Sequence, residues 1–210
     1  QINEFSKQYI VCVTPASCSD NIESISLEIL RYLPAKFNLI GLSMGGILAM
    51  EIMEKAPERV MKIVLMDTNY KSETPEIKSK RLPQIELVNK GRLEDVMRQQ
   101  IQHNYLSRDK QNKKILDLCL RMATDLGKEV FINQSKALAT RKDYKETLKN
   151  IKVPSLIICG KHDRLCPIKV HMEMKSLIES STLKIIPDSG HLPTLEQPLV
   201  TNEILREWLN

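Results

Sequence analysis

The sequence predicts an α/β protein, a three-layer and mostly parallel sheet with helices on both faces and a helical insert. Short apolar runs alternate with amphipathic helical patterns in both the first third and the last third of the chain. The strongest of these runs are apolar at nearly every position, as strands covered on both faces must be. Residues 70–149 lack such runs and carry helical periodicity instead.

Tyr9–Val13 reads as a first buried strand, closed by Thr14 and Pro15. A helix follows: Asp20 as N-cap with Glu23 three residues on resembles a capping box, and Ile22, Ile25, Ile29, Leu30 and Leu33 share one face before Pro34. Phe37–Ile40 is the second strand, Met44–Lys55 a helix ended near Pro57, and Met61–Met66 the third strand. In the insert, IELVNKGRLEDVMRQQI and KKILDLCLRMATDL are the clearest helical stretches. Strand character resumes at Val153–Cys159, followed by a helix over Pro167–Ile178, a fifth strand at Leu183–Ile186 and a closing helix over Leu199–Leu209. The expected organisation is a core from residues 1–69 and 150–210 with a helical cap from 70–149.

Composition narrows the class. The 210 residues, 42% of them hydrophobic, suffice for one sizeable core. The 31 basic and 26 acidic residues give a net charge of +5 spread along the chain, and only 4% of residues are aromatic, which argues against nucleic acid as a partner. No apolar run reaches the roughly 18 to 20 residues of a membrane span. Cys12, Cys18, Cys119, Cys159 and Cys166 form no C-x-x-C pair. Reduced and mostly buried thiols in a cytoplasmic protein are the expectation. His103, His162 and His171 stand at no metal-ligand spacing, so no metal site is expected.

Chemistry is concentrated in FNLIGLSMGGILAMEIM, residues 37–53, where a Gly-x-Ser-x-Gly turn joins a strand to a helix. A sharp backbone there would hold the Ser43 hydroxyl clear of the sheet, and Gly41, Gly45 and Gly46 remove side chains that would crowd it. Ser43 as a nucleophile needs a base to take its proton. The helix starting at Met44 turns unpaired N–H groups to the same spot, so the Met44 backbone is a candidate oxyanion donor. Asp163 in CGKHDRLCP follows the fourth strand, and His191 in PDSGHLPTLEQP follows the fifth. Both loops leave the carboxyl ends of strands, where parallel sheets gather functional groups. Asp67, ending the third strand, is a second candidate acid. His162 reads as a solvated neighbour, and Glu196 as a residue that fixes a loop or caps the closing helix.

The order Ser43, Asp163, His191 and the elbow GLSMGG resemble the α/β-hydrolase superfamily over nearly the full chain. The resemblance implies Ser43 as nucleophile, His191 as general base and then acid, Asp163 as the group that orients the imidazole, and residues 70–149 as a cap that shapes the pocket. Serine at the elbow, where related epoxide hydrolases and haloalkane dehalogenases carry aspartate, implies hydrolysis of a small-molecule ester or lactone through an acyl-serine. No cofactor is implied. The elbow also resembles those of enol-lactonases, small carboxylesterases and perhydrolases.

The family's HG or PG oxyanion loop and its D-x-x-G-x-G-x-S stretch have no counterpart in QINEFSKQYIVCVTPASCSDN. Two explanations offer themselves: upstream residues that supply a further strand and the second oxyanion donor, which is the favoured expectation, or a first strand closed directly against the elbow strand. The incomplete oxyanion hole leaves a catalytically impaired binding scaffold as the alternative function. A nucleotide-binding module is weaker, since GLSMGG lacks the phosphate-loop lysine and the G-x-G-x-x-G spacing.

Overall fold

The computed structural model describes residues 1–107 and 112–210. Its sheet has four strands, β1 (Phe37–Leu42), β2 (Val60–Met66), β3 (Ser155–Gly160) and β4 (Ser181–Ile186), all parallel and in spatial order β1-β2-β3-β4. The helices are α1 (Ile2–Phe5), α2 (Ile22–Tyr32), α3 (Met44–Lys55), α4 (Pro75–Ser79), α5 (Arg81–Asn89), α6 (Leu93–Gln100), α7 (Lys113–Thr140), α8 (Lys145–Asn150), α9 (Ile168–Leu177), α10 (Pro193–Glu196) and α11 (Pro198–Leu209).

The two-residue period of the strands sorts their side chains between two layers. Ile63, Leu65 and Ile157 face a core shared with Ile25 and Ile29 of α2, Leu48 and Ile52 of α3, and Met174 of α9. Val64, Met66, Leu156 and Ile158 face the opposite layer, where Phe5 of α1 and Leu205 of α11 cover them. Every residue of β3 is buried, as the apolar run had implied. Truncating one of the fully buried side chains, such as Leu65 to Ala, is worth about 2 to 5 kcal/mol.

Tyr9–Val13 is not a strand. It belongs to the irregular stretch before α2 and has no strand partner, with Ile10 102% and Val13 69% exposed, so the sheet has four strands rather than the five expected. β-branched composition makes a strand only where a neighbouring strand accepts the backbone and a layer covers the side chains; the run has no neighbouring strand, and of its side chains only Tyr9 packs against the core. Among the described residues β1 is therefore an edge strand, and closure of Tyr9–Val13 against it does not occur. The cap of α2 also differs: Asn21, not Asp20, is the N-cap, its side chain accepting from Ser24 N–H at 3.1 Å.

Between β2 and β3 the described residues form helices joined by loops, with no strand among them. Val88, Leu93, Val96 and Ile132 close a small apolar cluster among α5, α6 and α7, whereas Tyr70, Ala137, Tyr144 and Leu148 join the main core beside α3. Helix α7 is kinked at Gly127, whose φ of 83° and ψ of 174° are non-helical. Among the described residues no helix is long and apolar enough to cross a membrane. The five cysteines are free, but Cys12 and Cys18 are exposed, against the expectation of mostly buried thiols, because the segment that holds them lies outside the core.

Candidate active site

Ser43 sits between β1 and α3 with φ 54° and ψ −115°, a conformation that non-glycine residues rarely adopt. The surroundings hold it there: Ser43 N–H donates to Met66 O at 2.9 Å, and Thr68 Oγ1 donates to Ser43 O at 2.7 Å. Two glycines make the turn possible. A Cβ on Gly41 would lie 2.2 Å from Gly45 O, and one on Gly46 would lie 2.6 Å from the Thr68 side chain. Met44 opens α3, and its N–H has no acceptor among the described residues. Its thioether packs against the main core.

Ser43 Oγ lies 2.8 Å from His191 Nε2, and His191 Nδ1 lies 2.8 Å from Asp163 Oδ2. Asp163 is an acceptor for the ring, so Nδ1 carries the proton and Nε2 is free to accept from the serine hydroxyl. The other carboxylate oxygen, Asp163 Oδ1, accepts from Leu165 N–H at 2.8 Å and Cys166 N–H at 2.9 Å. Burial alone would raise the Asp163 pKa. The hydrogen bond and charge of His191, with the Cys166 N–H and Asp67, outweigh it and hold the carboxyl below the ordinary aspartate range.

Asp67, the second candidate acid, is completely buried at the end of β2 with φ 43°, and its Oδ1 accepts from Gly160 N–H at 2.7 Å. Burial, reinforced by the Asp163 charge and opposed by the Gly160 N–H, pushes its carboxyl far above the ordinary range. Its Oδ2 has no hydrogen-bond partner among the described residues, so burial next to the Asp163 charge favours the neutral acid on Asp67 and leaves the charge on Asp163, the member that faces His191. The geometry thus brings Ser43, His191 and Asp163 together and sets Asp67 one step behind.

His191 is braced from the other side. Its N–H donates to Tyr105 O at 2.7 Å, and the two rings lie 5.2 Å apart. Tyr105 ends a π-helical turn, Ile101–Tyr105, a geometry often found at functional sites. Glu196 Oε1 accepts from Gly190 N–H at 2.9 Å and Leu192 N–H at 3.2 Å, while Oε2 accepts from Ser107 N–H at 2.9 Å. The loop-fixing reading of Glu196 holds, with the addition that it ties the base loop to the inter-strand helical segment. Tyr105 acts through its backbone carbonyl and Thr68 through a hydroxyl on the Ser43 carbonyl, and neither carries a motif, so residue patterns could not single them out. His162, read as solvated, is half-buried, its N–H donating to Ser189 O at 2.8 Å.

Asp163, Cys166 and His191 place possible metal-ligand atoms within 4.8 Å of one another. Two of these groups already satisfy each other, and burial, with the Asp163 charge, pushes the Cys166 thiol well up. A protonated thiol is a poor ligand, so this donor set suits a hydrogen-bonded relay better than a cation.

The profile of the alpha/beta hydrolase fold family matches residues 24–198. The chain is 27% identical over 192 residues to a pimeloyl-[acyl-carrier protein] methyl ester esterase of Wigglesworthia glossinidia brevipalpis, covering 84% of this chain and 71% of that one. It is 28% identical over 196 residues to a putative 2-succinyl-6-hydroxy-2,4-cyclohexadiene-1-carboxylate synthase of Bacillus subtilis, covering 83% and 66%. The chain thus spans about two thirds of the length of these curated relatives. Among solved structures, a thermophilic esterase from Thermogutta terrifontis superimposes with a TM-score of 0.83 at 25% identity, covering 96% of this chain and 74% of that one.

Proposed function

This chain belongs to the alpha/beta hydrolase fold family, and from that premise we propose that it is a serine hydrolase that cleaves a small-molecule carboxylic ester or lactone through an acyl-serine. The observation that carries the reading is the hydrogen-bonded series Ser43–His191–Asp163, 2.8 Å at each step, with the serine on a strained strand-to-helix turn.

His191 Nε2 takes the Ser43 proton as Oγ adds to the substrate carbonyl, and Asp163 stabilises the resulting imidazolium without accepting the proton. The tetrahedral oxyanion is met by the Met44 N–H at the positive end of α3. His191 returns the proton to the departing alkoxide as the carbonyl re-forms. Water, deprotonated by His191, then attacks the acyl-serine, and collapse of the second tetrahedral species releases the acid and restores the Ser43 hydroxyl. The sum is ester plus water to acid plus alcohol, and a lactone opens to a hydroxy acid.

Residues 70–149 serve as the cap over this chemistry, and a cytoplasmic setting suits five unpaired thiols. Turnover of p-nitrophenyl acetate tests the reading: Ser43→Ala and His191→Ala each lower it by about 10⁴-fold or more, and the double variant is no worse than either single. Undiminished turnover in Ser43→Ala would place the activity elsewhere. A folded protein inert toward esters and serine-directed probes alike would be a binding scaffold.

A further inference from the structure

Leu42 and Leu192, the chain neighbours of Ser43 and His191, are among the residues that line a cavity of about 340 Å³. Its walls come from α6, α7 and the Leu192–Leu195 turn, and among the described residues no charged side chain lines it. Of its few polar groups, Gln134 already donates its amide to Ala16 O at 2.9 Å.

The two halves of α7 reach this cavity together because of the kink. Ala123 and Leu126 precede Gly127, Val130 and Phe131 follow it, and all of them line the space. With φ 83° and ψ 174°, Gly127 occupies a region essentially closed to residues with a side chain. A Cβ there would meet nothing within 4 Å, so the constraint is the backbone conformation and not space.

Resting on the serine-hydrolase reading, we infer that this cavity selects substrates bearing an uncharged, flexible hydrocarbon group, and that the Gly127 kink sets the size of group it takes. An apolar cavity of about 150 Å³ accommodates a benzene ring, so this one suits a group of roughly a dozen non-hydrogen atoms. A carboxylate placed in it would lose its hydration and gain no cation. The hydrocarbon can arrive on the acyl or the alcohol side of the ester.

The test is a ratio measured within one protein. On the full chain, kcat/KM for p-nitrophenyl esters from acetate to octanoate is compared with that for acetate esters of ethanol to octanol, and with the p-nitrophenyl monoester of suberic acid. A rise of about threefold to fourfold per methylene is expected along one series, which identifies the side that enters the cavity. The suberate monoester should fall at least about 100-fold below octanoate. Ala123→Phe, which fills the cavity, and Gly127→Ala, which opposes the kink, each lower the long-to-short ratio by about tenfold or more. Ser43-dependent acetate turnover with flat chain-length profiles in both series, or a suberate monoester cleaved as well as octanoate, would overturn the inference and leave the serine-hydrolase reading standing. Loss of Ser43 dependence would overturn both.

Discussion

Asp67 and Asp163 are both buried at the ends of neighbouring strands; burial and the Asp163 charge raise the Asp67 carboxyl, while His191, its Nδ1 2.8 Å from Asp163 Oδ2, holds the Asp163 carboxyl low against its own burial. The Asp67 N–H donates to Ile158 O at 2.9 Å, and Asp67 Oδ1 receives Gly160 N–H. A neutral acid behind a charged one leaves the imidazole to Asp163, whose carboxylate is fixed by the Leu165 and Cys166 N–H groups.

Asparagine keeps the shape and the donor of a protonated aspartate, so Asp67→Asn is expected to retain ester turnover within about threefold, whereas Asp163→Asn loses about 10⁴-fold because the imidazole tautomer is no longer fixed. Steady-state kinetics on both variants decide it. Wild-type turnover in Asp163→Asn with failure of Asp67→Asn would reverse the assignment.

The same pair predicts a pH dependence of stability. Burial, then the Asp163 charge, raise the folded-state pKa of Asp67 above its unfolded value near 3.9, so the folded chain binds the extra proton over that window. This contribution is fully present below about pH 4 and is lost as pH rises toward the folded pKa. Asp67→Asn has no such proton to lose. It should match the wild type near pH 4 and exceed it by about 1 kcal/mol or more at pH 7 in urea unfolding. A parallel pH dependence of the two proteins would show that Asp67 is not held protonated.

Glu196 accepts three backbone N–H groups across two segments, so Glu196→Ala leaves buried donors unpaired. A stability loss of about 2 to 4 kcal/mol is expected, with kcat falling more than KM changes, since the His191 loop loses its brace. Glu196→Gln, which retains one carbonyl acceptor, should fall between. Unchanged kcat in a destabilised Glu196→Ala would make the residue structural only.

Glu73 joins α5 to the end of α7 through Arg81 and Arg141, with Arg141 Nη1 2.8 Å from Glu73 Oε1 and Arg81 Nε 2.7 Å from Oε2. Burial opposes the Glu73 charge, but the two guanidinium groups prevail and lower its pKa. Its contribution is therefore present above the unfolded carboxyl pKa near 4.3 and is lost as pH falls through the lower folded value. Glu73→Gln should cost about 3 kcal/mol at pH 7, because two half-buried cations lose their shared counter-charge, and less near pH 3. Thermal unfolding at the two pH values checks the difference. An equal cost at both would rule out the ionic account.

Much of this arrangement is legible in the residues. Helix Met44–Lys55 begins and ends where the elbow and Pro57 say it must, and β2 and β3 announce themselves because burial on both faces demands runs apolar at nearly every position, Lys62 of β2 being the exception. Tyr9–Val13 misleads for the same reason, since an apolar run states that a strand can be covered and not that it is. The Asp67–Asp163 partnership depends on β2 and β3 being neighbours in space, with Met66 opposite Ile158, a relation that chain order does not encode. Tyr105 lies beyond reach of pattern reading because its carbonyl, common to every residue type, accepts the His191 N–H.

The most direct measurement is intact-mass and peptide-mapping mass spectrometry after treatment with a fluorophosphonate, which bonds to an activated serine oxygen with loss of fluoride. A single adduct on Ser43 is expected, absent in Ser43→Ala and slowed by about 100-fold or more in His191→Ala, since the hydroxyl then lacks its base. An unmodified Ser43 in folded protein, or an adduct on another serine with Ser43 intact, would contradict it.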